Sequence, residues 1–351
     1  MWDIIKAVIT DANFIGAIIS SLAFIFLGYL LRSKNIISAD GKKAISAIVL
    51  KIALPAMAIS CFMVDLDYEV LKENIIVFII SLLLYILLIS LGNAIFRNYD
   101  KQKRTVLGIL ITVGQLTFFT IPMLKAIYAD NVSSVLLPAN MMTLAFRLVL
   151  YIYCYLSIAN LSFNKENLAS SIKKVVLNPI MIAMFVGIII WLTQDIMPQV
   201  EINEIEYSIF RIDKTLPSLF MFISAADKLT TPLAMVIIGC ILGESNIKEA
   251  MTDKLAWIAS ILRTIIVPLI VLGILLILQW SNLINFNEYS LVVLVLGFAA
   301  PLSAVVSTYT STYNNNETLA SKTCLISTLL CIITYPILYV LIKLFLELPI
   351  F

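Results

Sequence analysis

Arg147 stands near the middle of an apolar run, Asn140-Met-Met-Thr-Leu-Ala-Phe-Arg147. At 1.5 Å of rise per residue a helical Arg147 is about 18 Å from the basic end of its segment, too far for easy snorkelling. A guanidinium at that depth can hold a carboxylate through two parallel hydrogen bonds. The alternative is a structural pair with Gln115 or with a backbone carbonyl. Asp227 and Lys228 lie inside another apolar segment, and Asp227 is the only acid so placed. A buried carboxylate there could carry a coupling proton. It could equally be solvated or self-paired near the outer surface. Lys51 and Arg263 lie about 12 Å from a basic end by the same rise, which is within snorkelling reach. Asn140 is read as a polar joint between helices.

Four prolines bear on backbone chemistry: Pro55, Pro122, Pro232 and Pro301, each within an apolar segment. Proline in a helix removes one hydrogen bond and frees the carbonyl four residues earlier. In lipid such a carbonyl must face protein, water or a ligand. Gln115, Thr117 and Thr120 precede Pro122, and Ser303 follows Pro301. These residues are the expected substrate site together with Arg147, and Lys51, Asp227, Lys228 and Asn140 are coupling or structural candidates. No catalytic residue is expected. With no histidine, and five cysteines without a CxxC pair, no metal site or cofactor is expected either.

The elements that must position these residues follow from hydropathy. The 351 residues are 61% hydrophobic and 13% charged, with mean hydropathy +1.01. A soluble domain is about half apolar and about a quarter charged. The composition fits an all-α membrane protein with the lipid bilayer as its solvent. Net charge +2 gives no sign of a nucleic-acid partner. Ten segments are long and apolar enough to cross: 13–31, 43–64, 74–96, 105–128, 133–158, 175–193, 217–242, 255–279, 289–312 and 318–346. The first lacks a basic leader and a cleavage site and reads as a retained span. Lys and Arg cluster in the joints after the odd spans, as in Arg97, Lys101, Lys103 and Arg104. The opposite joints are acidic. The odd-to-even joints therefore face the cytoplasm and both termini face outward. The joint 194–216 is acidic and expected at the surface.

Span two carries Lys51-Ile-Ala-Leu-Pro55 and span seven Lys228-Leu-Thr-Thr-Pro232. The charge rule runs these two spans in opposite directions. The shared Lys-x-x-x-Pro motif therefore suggests a five-plus-five inverted repeat, over 12–160 and 175–346, with a site near the midplane.

Motifs along nearly the whole chain resemble the auxin efflux carrier family. They are Leu27-Gly28-Tyr29-Leu30-Leu31-Arg32, Ala53-Leu54-Pro55-Ala56, Asn178-Pro179, Pro232-Leu-Ala-Met-Val-Ile-Ile-Gly239, Pro268, Pro301 and Ser327-Thr328…Pro336. The resemblance implies that Pro-broken spans four and nine cross, with substrate bound beside the cross. It implies a scaffold of helices 1, 2, 6 and 7, a mobile transport unit of helices 3–5 and 8–10, and a homodimer. Gln115-Leu-Thr117-Phe118-Phe-Thr120-Ile-Pro122 departs from the family's Asn-Thr-Gly-Phe-x-Gly-x-Pro, so no relative's substrate carries over. The long cytoplasmic loop of plant members is absent from the sequence. The expected function is a secondary transporter, or permease, of a small organic anion such as a carboxylate. It would work by alternating access in the cell membrane, driven by membrane potential, a proton or sodium. The alternative is a non-transporting membrane sensor with the same pocket. An intramembrane enzyme would need a cluster of acids, His or Cys that the spans lack.

Overall fold

The computed structural model describes residues 6, 10–244 and 247–347. Regular structure among them is helical, apart from one two-stranded hairpin. Short polar joints start the helices. Asp11, Ser38, Asp67, Asp100, Asn164, Asn178, Asp253 and Asn287 are N-caps whose side chains accept from backbone N–H groups of the first turn. Each cap satisfies a donor that the helix start would otherwise leave orphaned.

Among the described residues seven helices are long and apolar enough to cross a membrane: Phe14–Ser33, Ala39–Ser60, Tyr68–Ile95, Ala129–Ile158, Pro217–Glu244, Lys254–Trp280 and Glu317–Leu346. The pair Lys165–Val176 and Pro179–Thr193, bent by 68°, makes an eighth if taken as one span. Segments four and nine of the sequence reading are interrupted. Lys101–Thr112 is followed by Leu116–Ile127, and Glu288–Ala299 by Ala304–Thr312.

The prolines act differently from expectation. Pro55, Pro122 and Pro268 each sit in the first turn of an α-helix that follows a π-helical turn, at Val49–Ala53, Leu116–Thr120 and Leu262–Ile266. The wider turn absorbs the missing N–H without ending the helix. The first interruption lies at Val113–Gln115, before Pro122, whereas Pro301 lies inside the second.

Close backbone packing joins Ala12–Ser33 to Thr230–Glu244. A Cβ on Gly28 would stand 2.2 Å from the Val236 carbonyl oxygen, and one on Gly239 2.0 Å from that of Ile25. Small residues are what permit helices to approach this closely in lipid. The apolar surface is directed outward as well. Ile75, Ile79, Leu83 and Ile86 are exposed along one face of Tyr68–Ile95. Their three- and four-residue spacing makes a stripe suited to acyl chains.

The acidic joint folds as the hairpin Gln199–Ile202 with Ile205–Ser208. Asn203 and Glu204 turn it with φ of 51° and 66°, the left-handed conformation that tight hairpins require. Arg211, buried beside it, binds Asp213 at 2.8 Å, Asp65 at 2.6 Å and Gln194 at 3.1 Å. Burial opposes its charge, but the bonds it donates to Asp213 and Asp65 outweigh this and hold the guanidinium above its ordinary range.

Candidate functional site

The two interrupted segments meet at their gaps. Gly114 and Leu302 form an isolated antiparallel bridge. The Gln115 N–H donates to the Pro301 carbonyl at 2.7 Å, and the Ser303 N–H to Val113 at 3.2 Å. Residues 113–115 and 301–303 thus complete each other as a minimal pair of strands in the interior.

Side chains satisfy several of the other backbone groups at the gaps. Arg263 donates from Nε to the Ala300 carbonyl at 2.8 Å and from Nη1 to the Ile111 carbonyl at 3.0 Å. The Leu302 N–H donates to Ser327 Oγ at 3.0 Å, and the Ala304 N–H to Gln115 Oε1 at 2.7 Å. Gln115 therefore supplies the cap that helix Ala304–Thr312 does not get from Ser303. These carbonyls and amides are satisfied within the protein, as unrelieved backbone in a low-dielectric interior is costly.

Arg263 corrects the snorkelling reading. It is 0% exposed and packs so closely on Gly114 that a Cβ there would fall 1.8 Å from Nη2. Its distance from the helix end gave no hint of this, because chain position does not say which face a side chain occupies.

Two cavities flank the crossing and share Leu50, Gln115, Phe118 and Val305. The larger, about 850 Å³, runs from Gln115 and Ala304 past Ser307, Thr308, Ser311 and Thr312 to Lys42, Glu244, Glu249 and Lys322. Glu317 also lines this end, whose other charges are paired internally. Glu244 pairs with Lys42 and with Arg32 at 2.8 Å, and Glu249 with Lys322 at 3.1 Å.

The smaller cavity, about 230 Å³, is lined by Lys51, Gln115, Thr117, Arg147, Tyr151, Asn178 and Ser303 among apolar neighbours. Arg147 is 3% exposed. Its Nη1 donates to the Tyr151 hydroxyl at 3.2 Å, and its Nε has no partner. Asn178 Nδ2 also donates to that hydroxyl, at 3.0 Å. With its lone pairs engaged, the phenol keeps its own proton for a further acceptor. No carboxylate pairs with Arg147 among the described residues. Tyr151 was absent from the expected site; it lies one helical turn beyond Arg147, which is the signal that could have found it.

Five expected residues thus meet around one space: Lys51, Gln115, Thr117, Arg147 and Ser303. Pro122, Thr120 and Pro301 are buried at or below the crossing and line neither cavity. Asn140 is fully buried elsewhere, donating to Cys61 Sγ at 2.8 Å and so joining Val132–Leu148 to the end of Ala39–Ser60. Asp227 forms an ion pair with Lys125 at 2.5 Å, and Lys228 is exposed at the end of Pro217–Lys228. Among the described residues no group of three or more His, Cys, Asp or Glu could hold a metal.

The model of a family described as Membrane transport protein, the auxin efflux carriers, matches residues 13–339. This chain belongs to the auxin efflux carrier family. No curated protein matches it. The family match spans both interrupted segments, both cavities and Arg147. As an auxin efflux carrier family member with at least seven apolar helices of spanning length, the protein is a multi-pass membrane transport protein. Membership sets it among transporters rather than enzymes.

Proposed function

We propose that the protein is a ten-span secondary transporter that moves a small organic anion, a carboxylate, across the cell membrane by alternating access. The observation that carries this reading is Arg147: a guanidinium 3% exposed, at a cavity wall, with no carboxylate partner among the described residues and with its Nε unpaired. Removing an ion from water costs several kcal/mol even after relaxation. A bound carboxylate would offset that cost through the free guanidinium edge and the Tyr151 hydroxyl. The first turn of Ala304–Thr312 adds the positive end of a helix dipole beside Gln115 and Ser303.

In this reading the interrupted segments count as spans four and nine, giving two five-span halves over 12–160 and 175–346. Spans one, two, six and seven form the scaffold, and spans three to five and eight to ten move. The larger cavity supplies access from the Lys- and Arg-rich side, which is cytoplasmic by the charge rule. The Lys125–Asp227 ion pair and the cluster of Tyr128, Glu288 and Lys343 close the opposite end. Both termini are then outside.

The test is uptake of labelled mono- and dicarboxylates into proteoliposomes. Saturable flux is expected for the wild type and its loss for Arg147→Gln, with Arg147→Lys intermediate. Equal flux in wild type and Arg147→Gln would remove Arg147 from the mechanism. Saturable binding without flux would make the protein a sensor instead.

A further inference from the structure

Helix Lys165–Val176 does not line either cavity, and it is set at 68° to the apolar helix Pro179–Thr193 that follows it. Its inner face is built from Ser171 and Val175, which are buried against Val149–Cys154 and Val132–Leu148. A second apolar stripe beside that face has no cover. Ile172 is 49% exposed, Val176 47% and the following Leu177 59%, with Phe163 at 55% just before the helix. The four-residue step from Ile172 to Val176 puts them on one side of the helix. Lys165 and Lys173 are exposed along the margin of this stripe. Lys174 is engaged otherwise, its Nζ 3.5 Å from the centre of the Tyr155 ring.

In water an uncovered apolar stripe of this kind is unfavourable. In a membrane transport protein the sharp bend offers another environment. A helix that meets a spanning helix at a steep angle can lie along the bilayer surface. Apolar side chains then enter the acyl boundary while lysines reach the phosphates. We propose that Lys165–Val176 is an interfacial helix whose Ile172/Val176 stripe seats in the leaflet and whose Lys165 and Lys173 bind anionic lipid headgroups. Charge decides the lipid class. The helix and its first turn carry Lys165, Lys173 and Lys174 against Glu166 alone, so a zwitterionic surface gains little from it and an anionic one gains more.

The contact bears on the transport site. Asn178, two residues beyond the helix, holds the Tyr151 hydroxyl that in turn receives Arg147. Seating the helix in the leaflet fixes the end of the chain from which Asn178 reaches in.

The experiment uses the full chain in nanodiscs of phosphatidylcholine, alone or mixed with phosphatidylglycerol. Cys61, Cys154, Cys240, Cys324 and Cys331 are all buried, so a spin label on Ile172→Cys reports from that position. The label is expected to collide with oxygen more than with a water-soluble nickel complex. Retained phosphatidylglycerol, measured by native mass spectrometry, should fall about five-fold for each lysine removed in Lys165→Gln/Lys173→Gln. It should hold in Lys165→Arg/Lys173→Arg and in Lys248→Gln/Lys254→Gln. A label in water overturns the proposal. So does unchanged lipid retention in the Lys165→Gln/Lys173→Gln variant, or an equal loss in the Lys248→Gln/Lys254→Gln variant. None of these readouts depends on transport.

Discussion

Gln115 reaches Pro301 through 2.7 Å, backbone amide to backbone carbonyl, across two segments that are far apart in sequence. The same residue's side-chain oxygen caps Ala304. One glutamine thus ties the crossing together and starts the helix beyond it, while its side chain borders both cavities.

Separating those two roles gives the first prediction. Gln115→Glu keeps an acceptor for the Ala304 N–H at a helix start, where negative charge gains about 0.3–1 kcal/mol, but Gln115 is 5% exposed and burying a carboxylate costs several kcal/mol. The variant should melt below the wild type and lose uptake, since it places a carboxylate where the proposed anion would pass. Gln115→Ala should lower stability by about 1 kcal/mol, the usual worth of a cap. Thermal melting in detergent and vesicle uptake, measured on the same preparations, check both halves.

Arg263 supplies a second. Arg263→Met leaves the Ala300 and Ile111 carbonyls without their donor, at about 1–3 kcal/mol for each orphaned acceptor. A clear fall in melting temperature is expected, with Arg263→Lys between it and the wild type. An unchanged melting temperature in Arg263→Met would mean that the crossing holds without its guanidinium.

Gly114→Ala tests the same contact from the other side. The added methyl would stand 1.8 Å from Arg263 Nη2, so either the guanidinium or the bridge must move. Reduced folded yield is expected for Gly114→Ala alone. Combining it with Arg263→Lys, which withdraws the clashing nitrogen, should recover part of that yield on size-exclusion chromatography.

These residues also show where the sequence is readable. Helix starts are legible because Asp67, Asn178 and Asp253 are caps by local chemistry alone. Arg147 was legible because its depth in an apolar run rules out escape to water. Lys51 and Arg263 sit at similar depth by chain position, yet the first is exposed and the second wholly buried. The difference lies in which neighbours surround each side chain, and those come from distant segments. The prolines pointed to the right two segments for the crossing but not to its atoms. The unwound stretch Val113–Gln115 exists because its partner lies at 301–303, a pairing that local propensity does not encode.

Asp227 provides a further prediction. It was read as a proton carrier or as a solvated or self-paired acid, and it is paired with Lys125 from a helix 102 residues away. Asp227→Asn leaves Lys125 without its counter-ion and should lower uptake. The exchange Lys125→Asp/Asp227→Lys should restore what the single variant loses. Failure of the exchange to restore any uptake, with folding intact, would give Asp227 a role beyond the pair.

The crossing also imposes an order on synthesis. When 101–127 enters the bilayer, the groups that will satisfy Ile111, Val113 and Gln115 have not yet been made. Arg263 comes 152 residues after Ile111, and Ala304 comes 189 after Gln115. Contacts of such separation form late. Until then the nascent protein holds unpaired peptide groups that must borrow partners from water, lipid headgroups or the insertion machinery. A truncated chain ending before residue 288 lacks the whole second segment. Such fragments should be the ones that cellular quality control recognises first.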